Sequence, residues 1–137
     1  MFHAKLPGET RYNESMTDFE EGVIVGLLVG EGSFGGDGKQ PQITLKMHVR
    51  HEKLFFWLVE RLPDSKLYGP YHHGDRHFYQ WMIRGKALRE SLVPLMAKHV
   101  AKLDDHAAAR FQNMCQNYNI IPHSSVTGFW PGPSEDV

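Results

Sequence analysis

A helix with three glycines on one face narrows what this chain can fold into more than any other feature. Thr17 stands where an N-cap belongs, and Glu20 follows three residues later as its capping-box partner. Asp18, Glu20 and Glu21 suit the positive end of a helix dipole. The apolar run Val23-Ile24-Val25-Gly26-Leu27-Leu28-Val29 comes next, and the helix is predicted to stop near Gly30-Glu31-Gly32. Gly22, Gly26 and Gly30 fall at i, i+4 and i+8, with Gly30 also suited to a C-cap. A glycine within a helix costs ~1 kcal/mol relative to alanine, so three in register call for a compensating contact. The usual one is the close approach of a second helix. No other segment offers a matching glycine face. The simplest partner is therefore the same helix of a second copy, with Gly22, Gly26 and Leu27 at the contact.

Such a pairing brings two Glu31 carboxylates together at helix C-termini, where the dipole disfavours an anion. A hard divalent cation, Mg2+ or Mn2+, would relieve that arrangement. Joined by phosphate oxygens, it is the arrangement used for phosphodiester hydrolysis. On the residues alone, Glu31 reads equally well as a solvated loop acid.

Downstream, Ser33-Phe34 is predicted to begin a short strand and 35–41 to turn. Gln42 to Arg50 alternates, with Ile43, Leu45, Met47 and Val49 on one side and Thr44, Lys46, His48 and Arg50 on the other. A helix opens at His51-Glu52 and ends at Pro63-Asp64. A third strand is expected over Lys66–Tyr71, a turn over His72-His73-Gly74-Asp75, and a fourth strand over Arg76–Arg84. Helices follow over Lys86 to about Met96 and Leu103 to about Tyr118. The order predicts an α+β fold with an antiparallel sheet covered on one face. The expected layout is an arm (1–16), one domain (17–118) and an irregular tail (119–137).

Composition excludes several classes. The chain has 137 residues, 41% hydrophobic and 12% aromatic, which suits one folded domain. No apolar run is long enough to span a bilayer, and Met1 to Asp18 does not resemble a signal peptide. No membrane partner is expected. Cys115 is the single cysteine, which suits a reducing, intracellular setting such as cytoplasm, nucleoid or organelle. It reads as a small buried side chain, not a nucleophile. The net charge of −1 argues against coating DNA through bulk charge, so any DNA-binding surface must concentrate its cations locally. The nine histidines lack a cysteine pair to complete a zinc site, and His72 and His73 point to opposite sides of a strand.

The segment Ile24-Val25-Gly26-Leu27-Leu28-Val29-Gly30-Glu31-Gly32-Ser33-Phe34 resembles the LAGLIDADG motif of homing endonucleases in its form ending GEGSF. The alternating second strand, the helix with Phe56-Trp57-Leu58, and the block from Phe78 to Met96 fall where that family places its next elements. The resemblance covers roughly 17–115. It implies an αββαββα fold whose antiparallel, saddle-shaped sheet lies over the major groove of double-stranded DNA. It implies an intron-encoded enzyme acting as a homodimer on a roughly palindromic site, with no small-molecule cofactor beyond the metal. Glu31 is the implied metal ligand, with the Gly30 carbonyl beside it. His51 is the implied polar residue at the end of the second strand, and Lys102, or Lys98 if the alignment slips one turn, the implied basic residue.

These positions have plainer readings from below. His51 is equally a helix-start residue, and a lysine near a helix end is usually just solvated. The face carrying Gln42, Thr44, Lys46, His48, Arg50, Arg76, Gln80 and Arg84 can donate to base edges and phosphates, or can be the wet side of an ordinary sheet. Val29 stands where the motif has its first acid. That departure leaves two alternatives on the same scaffold: a DNA-binding protein that no longer cuts, and an RNA-splicing cofactor. An intein is not expected, because no splicing domain fits in this length.

Overall fold

The computed structural model describes residues 16–122. The arm and tail expected at 1–16 and 119–137 lie outside these residues, apart from Met16 and 119–122. Helix α1 (Asp18–Glu31) begins as its sequence predicts: the Thr17 hydroxyl accepts from Glu20 N–H, and the Glu20 carboxylate accepts from Thr17 N–H. Arg61 donates to the other oxygen of Glu20 at 3.4 Å and so ties the start of α1 to the second helix. Four strands follow in two hairpins, β1 (Gly32–Gly36) with β2 (Pro41–His48), and β3 (Lys66–His73) with β4 (Arg76–Arg84). Helix α2 (Glu52–Arg61) connects them. The sheet is antiparallel throughout, in the order β1-β2-β4-β3. This is the α+β arrangement expected from the sequence.

Period-two alternation sends Ile43 and Leu45 of β2, and Tyr79, Trp81 and Ile83 of β4, into the core. There they meet Ile24, Val25 and Leu28 of α1, Phe55 and Leu58 of α2, and the C-terminal helices. Trp81, Phe55 and Phe111 are the largest of the fully buried side chains. The opposite face of the sheet carries no helix among the described residues and is open in them.

Several boundaries differ from the sequence reading. Strand β1 begins at Gly32 rather than Ser33, and β2 ends at His48. Val49–His51 form a 3-10 turn, because the His48 imidazole Nδ1 accepts from Arg50 N–H at 2.9 Å and closes the chain on itself. Arg50 therefore leaves the strand face on which alternation placed it. His72 and His73 belong to β3, and the hairpin turns on Gly74-Asp75 alone, between the paired His73 and Arg76. The predicted helix at 86–96 runs further. Gly85, at φ +61, breaks β4 and starts α3 (Gly85–Ala87), which passes through a π turn (Leu88–Leu92) into α4 (Val93–Leu103). The π turn sits just before Pro94, which lacks the N–H an α turn would use there. The last helix, α5 (Asp105–Asn117), begins two residues later than expected.

Its cap is Asp104, whose carboxylate accepts from Ala107 N–H at 2.7 Å. Asp104→Ala is expected to cost ~1 kcal/mol. Thermal denaturation should show a Tm lower by roughly 4 °C with unchanged secondary structure.

In β3 the register slips. Tyr68 faces Gln80 and Tyr71 faces Phe78, so three steps along β3 match two along β4. The extra residue falls at Gly69-Pro70, where Gly69 takes φ +110 and lies close to the Phe78 carbonyl. Tyr68 and Tyr71, an odd number of residues apart, therefore share one face.

Candidate nucleic-acid interface and helix-end site

The open face of the sheet can be read from the pairing. Ser33 and Gly35 of β1 stand beside Thr44 and Gln42 of β2. Gln42, Thr44, Lys46 and His48 stand beside Arg84, Met82, Gln80 and Phe78 of β4. Lys66, Tyr68, Tyr71 and His73 of β3 complete the outer edge, next to Met82, Gln80, Phe78 and Arg76. The face carries Lys46, Lys66, Arg76 and Arg84 and, at these positions, no carboxylate. Four of the fifteen lysines and arginines of a chain with net charge −1 thus stand together on one surface. Seven of the eight residues expected on this face lie on it: Gln42, Thr44, Lys46, His48, Arg76, Gln80 and Arg84. Arg50, the eighth, is exposed on the 3-10 turn at its edge. Arg84 also reaches Asp37 at 3.9 Å. Two backbone N–H groups, of Gln40 and Lys39, donate to Asp37 and hold its carboxyl below the usual range, helped by Arg84.

At one end of this face lies the C-terminus of α1. Glu31 is its last residue, exposed, and without a hydrogen-bond or ion-pair partner among the described residues. Gly32 follows directly and pairs with Leu45, so Glu31 stands by the His48 end of β2. The capping N–H of Gly32 bonds to the Leu28 carbonyl, leaving the Gly30 carbonyl among the helix-end acceptors with no intrahelical donor. Val29 packs against the core, where the resembled motif has an acid.

The other implied residues fall as follows. His51 ends the 3-10 turn and precedes α2, exposed and making no capping hydrogen bond. The start of α2 is held to the sheet by Tyr79, whose hydroxyl donates to Glu52 at 3.0 Å. That bond, with burial and the Glu52 charge, raises the Tyr79 phenol. Lys102 lies exposed in the last turn of α4. Lys98 lies 3.7 Å from Glu21, which also meets His99 at 3.5 Å. Glu21 precedes Glu31 by ten residues, about 15 Å along a helix, so Lys98 sits by the other end of α1. A cation that the fold does bring to the Glu31 end is Arg110 of α5. It donates to the Gly32 carbonyl at 3.3 Å and lies 5.4 Å over the Phe34 ring. Sequence reading missed Arg110, since nothing local marks a contact 78 residues distant.

The glycine face of α1 is uncovered among the described residues. A Cβ built on Gly22, Gly26 or Gly30 meets no atom within 4 Å. Phe19, 76% exposed, continues the same side of the helix, and Leu27 is half-buried. No helix among the described residues supplies the close contact that the glycine spacing predicts.

At the hairpin end, His72 and His77 face each other with their Nδ1 atoms 2.6 Å apart, on the side opposite His73. No group of three or more metal-binding side chains forms among the described residues. Cys115 is buried, and burial pushes its thiol up to about 12, so it is inert at neutral pH, as its sequence context suggested. No helix among the described residues is long and apolar enough to cross a membrane.

His48 carries a pH signature. Burial, with Arg50, His77 and His51 beside it, holds its imidazole below the ordinary value of 6.5. Below that value the unfolded chain binds the proton that the folded chain resists, so this contribution to stability is present above pH 6.5 and lost as pH falls through the window beneath it. Urea denaturation at pH 8 and pH 5.5 should show a decline that His48→Gln makes shallower.

No protein-family model matches the chain, and no curated protein matches it in sequence. Solved structures do match in fold. The group I intron-encoded homing endonuclease I-CeuI, complexed with DNA, superposes with a TM-score of 0.58 at 17% identity over 74% of this chain and 55% of that one. The archaeal intron-encoded homing endonuclease I-Vdi141I, complexed with DNA, gives 0.59 at 17% identity over 74% of this chain and 68% of that one. The homing endonuclease I-TnaI gives 0.55 at 19% identity, over 73% and 71%. The chain thus spans about half of I-CeuI and about two thirds of the others.

Proposed function

We propose that this chain, whose fold is that of the homing endonucleases, is a sequence-specific double-stranded DNA endonuclease acting as a homodimer with a divalent metal. One observation carries the reading beyond fold: the glycine face of α1, uncovered among the described residues, ends at Glu31, which has no partner among them, beside a sheet face whose strand positions carry cations and no carboxylate. Two α1 helices packed through Gly22, Gly26 and Leu27 would bring two Glu31 carboxylates together and join two sheet faces across one two-fold axis. Two half-sites of a duplex would then be read symmetrically.

One chain does not fill a metal site. It offers the Glu31 carboxylate and the Gly30 carbonyl, both oxygen donors suited to Mg2+ or Mn2+. Mg2+ takes one or two carboxylates and completes its shell with phosphate oxygens and water. The donor set fits such an ion if shared between two copies and the substrate. When bound, the ion supplies the positive charge that phosphodiester hydrolysis needs. The protein's own residues do the rest. Sheet cations hold phosphates in register, and His51 is exposed to orient a water or pass a proton. Lys102 or Arg110 offers charge to the phosphate as it becomes more negative.

The test is cleavage of a randomised duplex library with Mg2+ or Mn2+, with oligomeric state measured by sedimentation. Site-specific double-strand breaks by a dimer support the proposal. Enrichment of a duplex sequence without cutting would replace it by the non-cutting DNA-binding reading, and a monomer at micromolar concentration would overturn the two-fold arrangement.

A further inference from the structure

The open face of the sheet is chemically divided. The β1–β2 half presents Ser33, Gln42, Thr44, Lys46 and His48, all able to donate hydrogen bonds. The β4–β3 half presents Phe78, Met82, Tyr68 and Tyr71 among its cations. Tyr68 is 41% and Tyr71 39% exposed. At the centre of the apolar half is Phe78. Its ring lies 5.4 Å from Tyr71 and 5.8 Å from His73. Lys46 Nζ sits 5.2 Å and the Arg76 guanidinium 5.4 Å from its centroid. Apolar rings on a wet sheet face contribute nothing to the core on the other side, so their use is outward.

Two nucleic-acid features accept an aromatic group: an unpaired base, by stacking, and the methyl group of thymine, by edge contact in the major groove. Stacking needs a free flat face. The Phe78 ring is crowded by two rings and two cations, which leaves apolar edges rather than an open plane. Within a duplex the thymine methyl is the one apolar group on the major-groove base edges. We infer that the Phe78–Tyr71 cluster makes the chain a reader of thymine methyl groups, while the β1–β2 half reads hydrogen-bonding edges. The inference rests on the duplex-binding reading above and adds a base and an atom to it.

The experiment alters the DNA and leaves the protein intact. Duplexes are selected by binding to the full chain without divalent metal, and each thymine of the selected site is replaced in turn by deoxyuridine. That exchange removes the methyl and keeps every hydrogen bond. At one or more positions of each half-site, affinity should fall by about fourfold, the worth of one buried methyl. Phe78→Ala should abolish the difference at those positions. Phe78→Leu, which keeps an apolar contact, should retain part of it, and Gln42→Ala should retain all of it. Deoxyuridine without effect at every position would overturn the inference while leaving duplex binding intact. So would tighter binding of the single-stranded library, the mark of a stacking platform. A failure to select any duplex would overturn the underlying reading as well.

Discussion

Glu31→Gln should stop strand cleavage and leave duplex binding almost unchanged. The two side chains have the same shape, and only one carries charge. Loss of a charge-stabilising group commonly slows a reaction by about 10²–10³-fold, and a shared metal ligand should lie at or beyond the upper end. The fold should not suffer. Glu31 is exposed and has no partner among the described residues, and it ends a helix whose last turn carries no basic residue. Neutralising an anion there should gain ~0.3–1 kcal/mol. The expected pattern is a Tm that holds or rises, retained affinity in a gel-shift assay, and no cut product. Undiminished cutting by the variant would remove Glu31 from the chemistry.

Gly26→Leu should have two effects of opposite sign. Within one chain it should stabilise, because leucine is the better helix former by ~0.8–1 kcal/mol and no atom lies within 4 Å of the new Cβ. Between chains it should separate the two helices by the thickness of a side chain. Sedimentation should show a monomer where the wild type gives a dimer. Cutting should fall with it, since each half-dimer would hold only one Glu31. A variant that melts higher yet cannot cut is hard to explain by damage to the fold. A dimer that survives Gly26→Leu would assign the contact to another surface.

The parts of this molecule that were legible in its sequence are those governed by near neighbours. The cap of α1 is a bond between residues three apart, so Thr17 and Glu20 announce it. The core faces of β2 and β4 follow from alternation, as Ile43, Leu45, Trp81 and Ile83 show. Alternation failed at Arg50 because a side chain, that of His48, captured the backbone and ended the strand. The β3–β4 turn is two residues tighter than its sequence suggests, because histidine is neutral between strand and loop and only pairing with His77 and Arg76 decides it. Lys98 and Arg110 illustrate the limit for the site. Their partners, Glu21 and the Gly32 carbonyl, are distant in the chain, and the packing of α4 and α5 alone selects them. That no described residue covers the glycine face likewise depends on where every other helix lies.

The slipped register at Gly69-Pro70 lets the outer strand change its length without turning its side chains over. Residues paired across an antiparallel ladder share a face, and Tyr71, His72 and His73 take theirs from Phe78, His77 and Arg76. Deleting one residue at the slip would restore one-to-one pairing and leave Tyr71 and His73 outward and His72 inward. A codon lost at this place would straighten the strand and keep the exposed groups it presents beyond the slip.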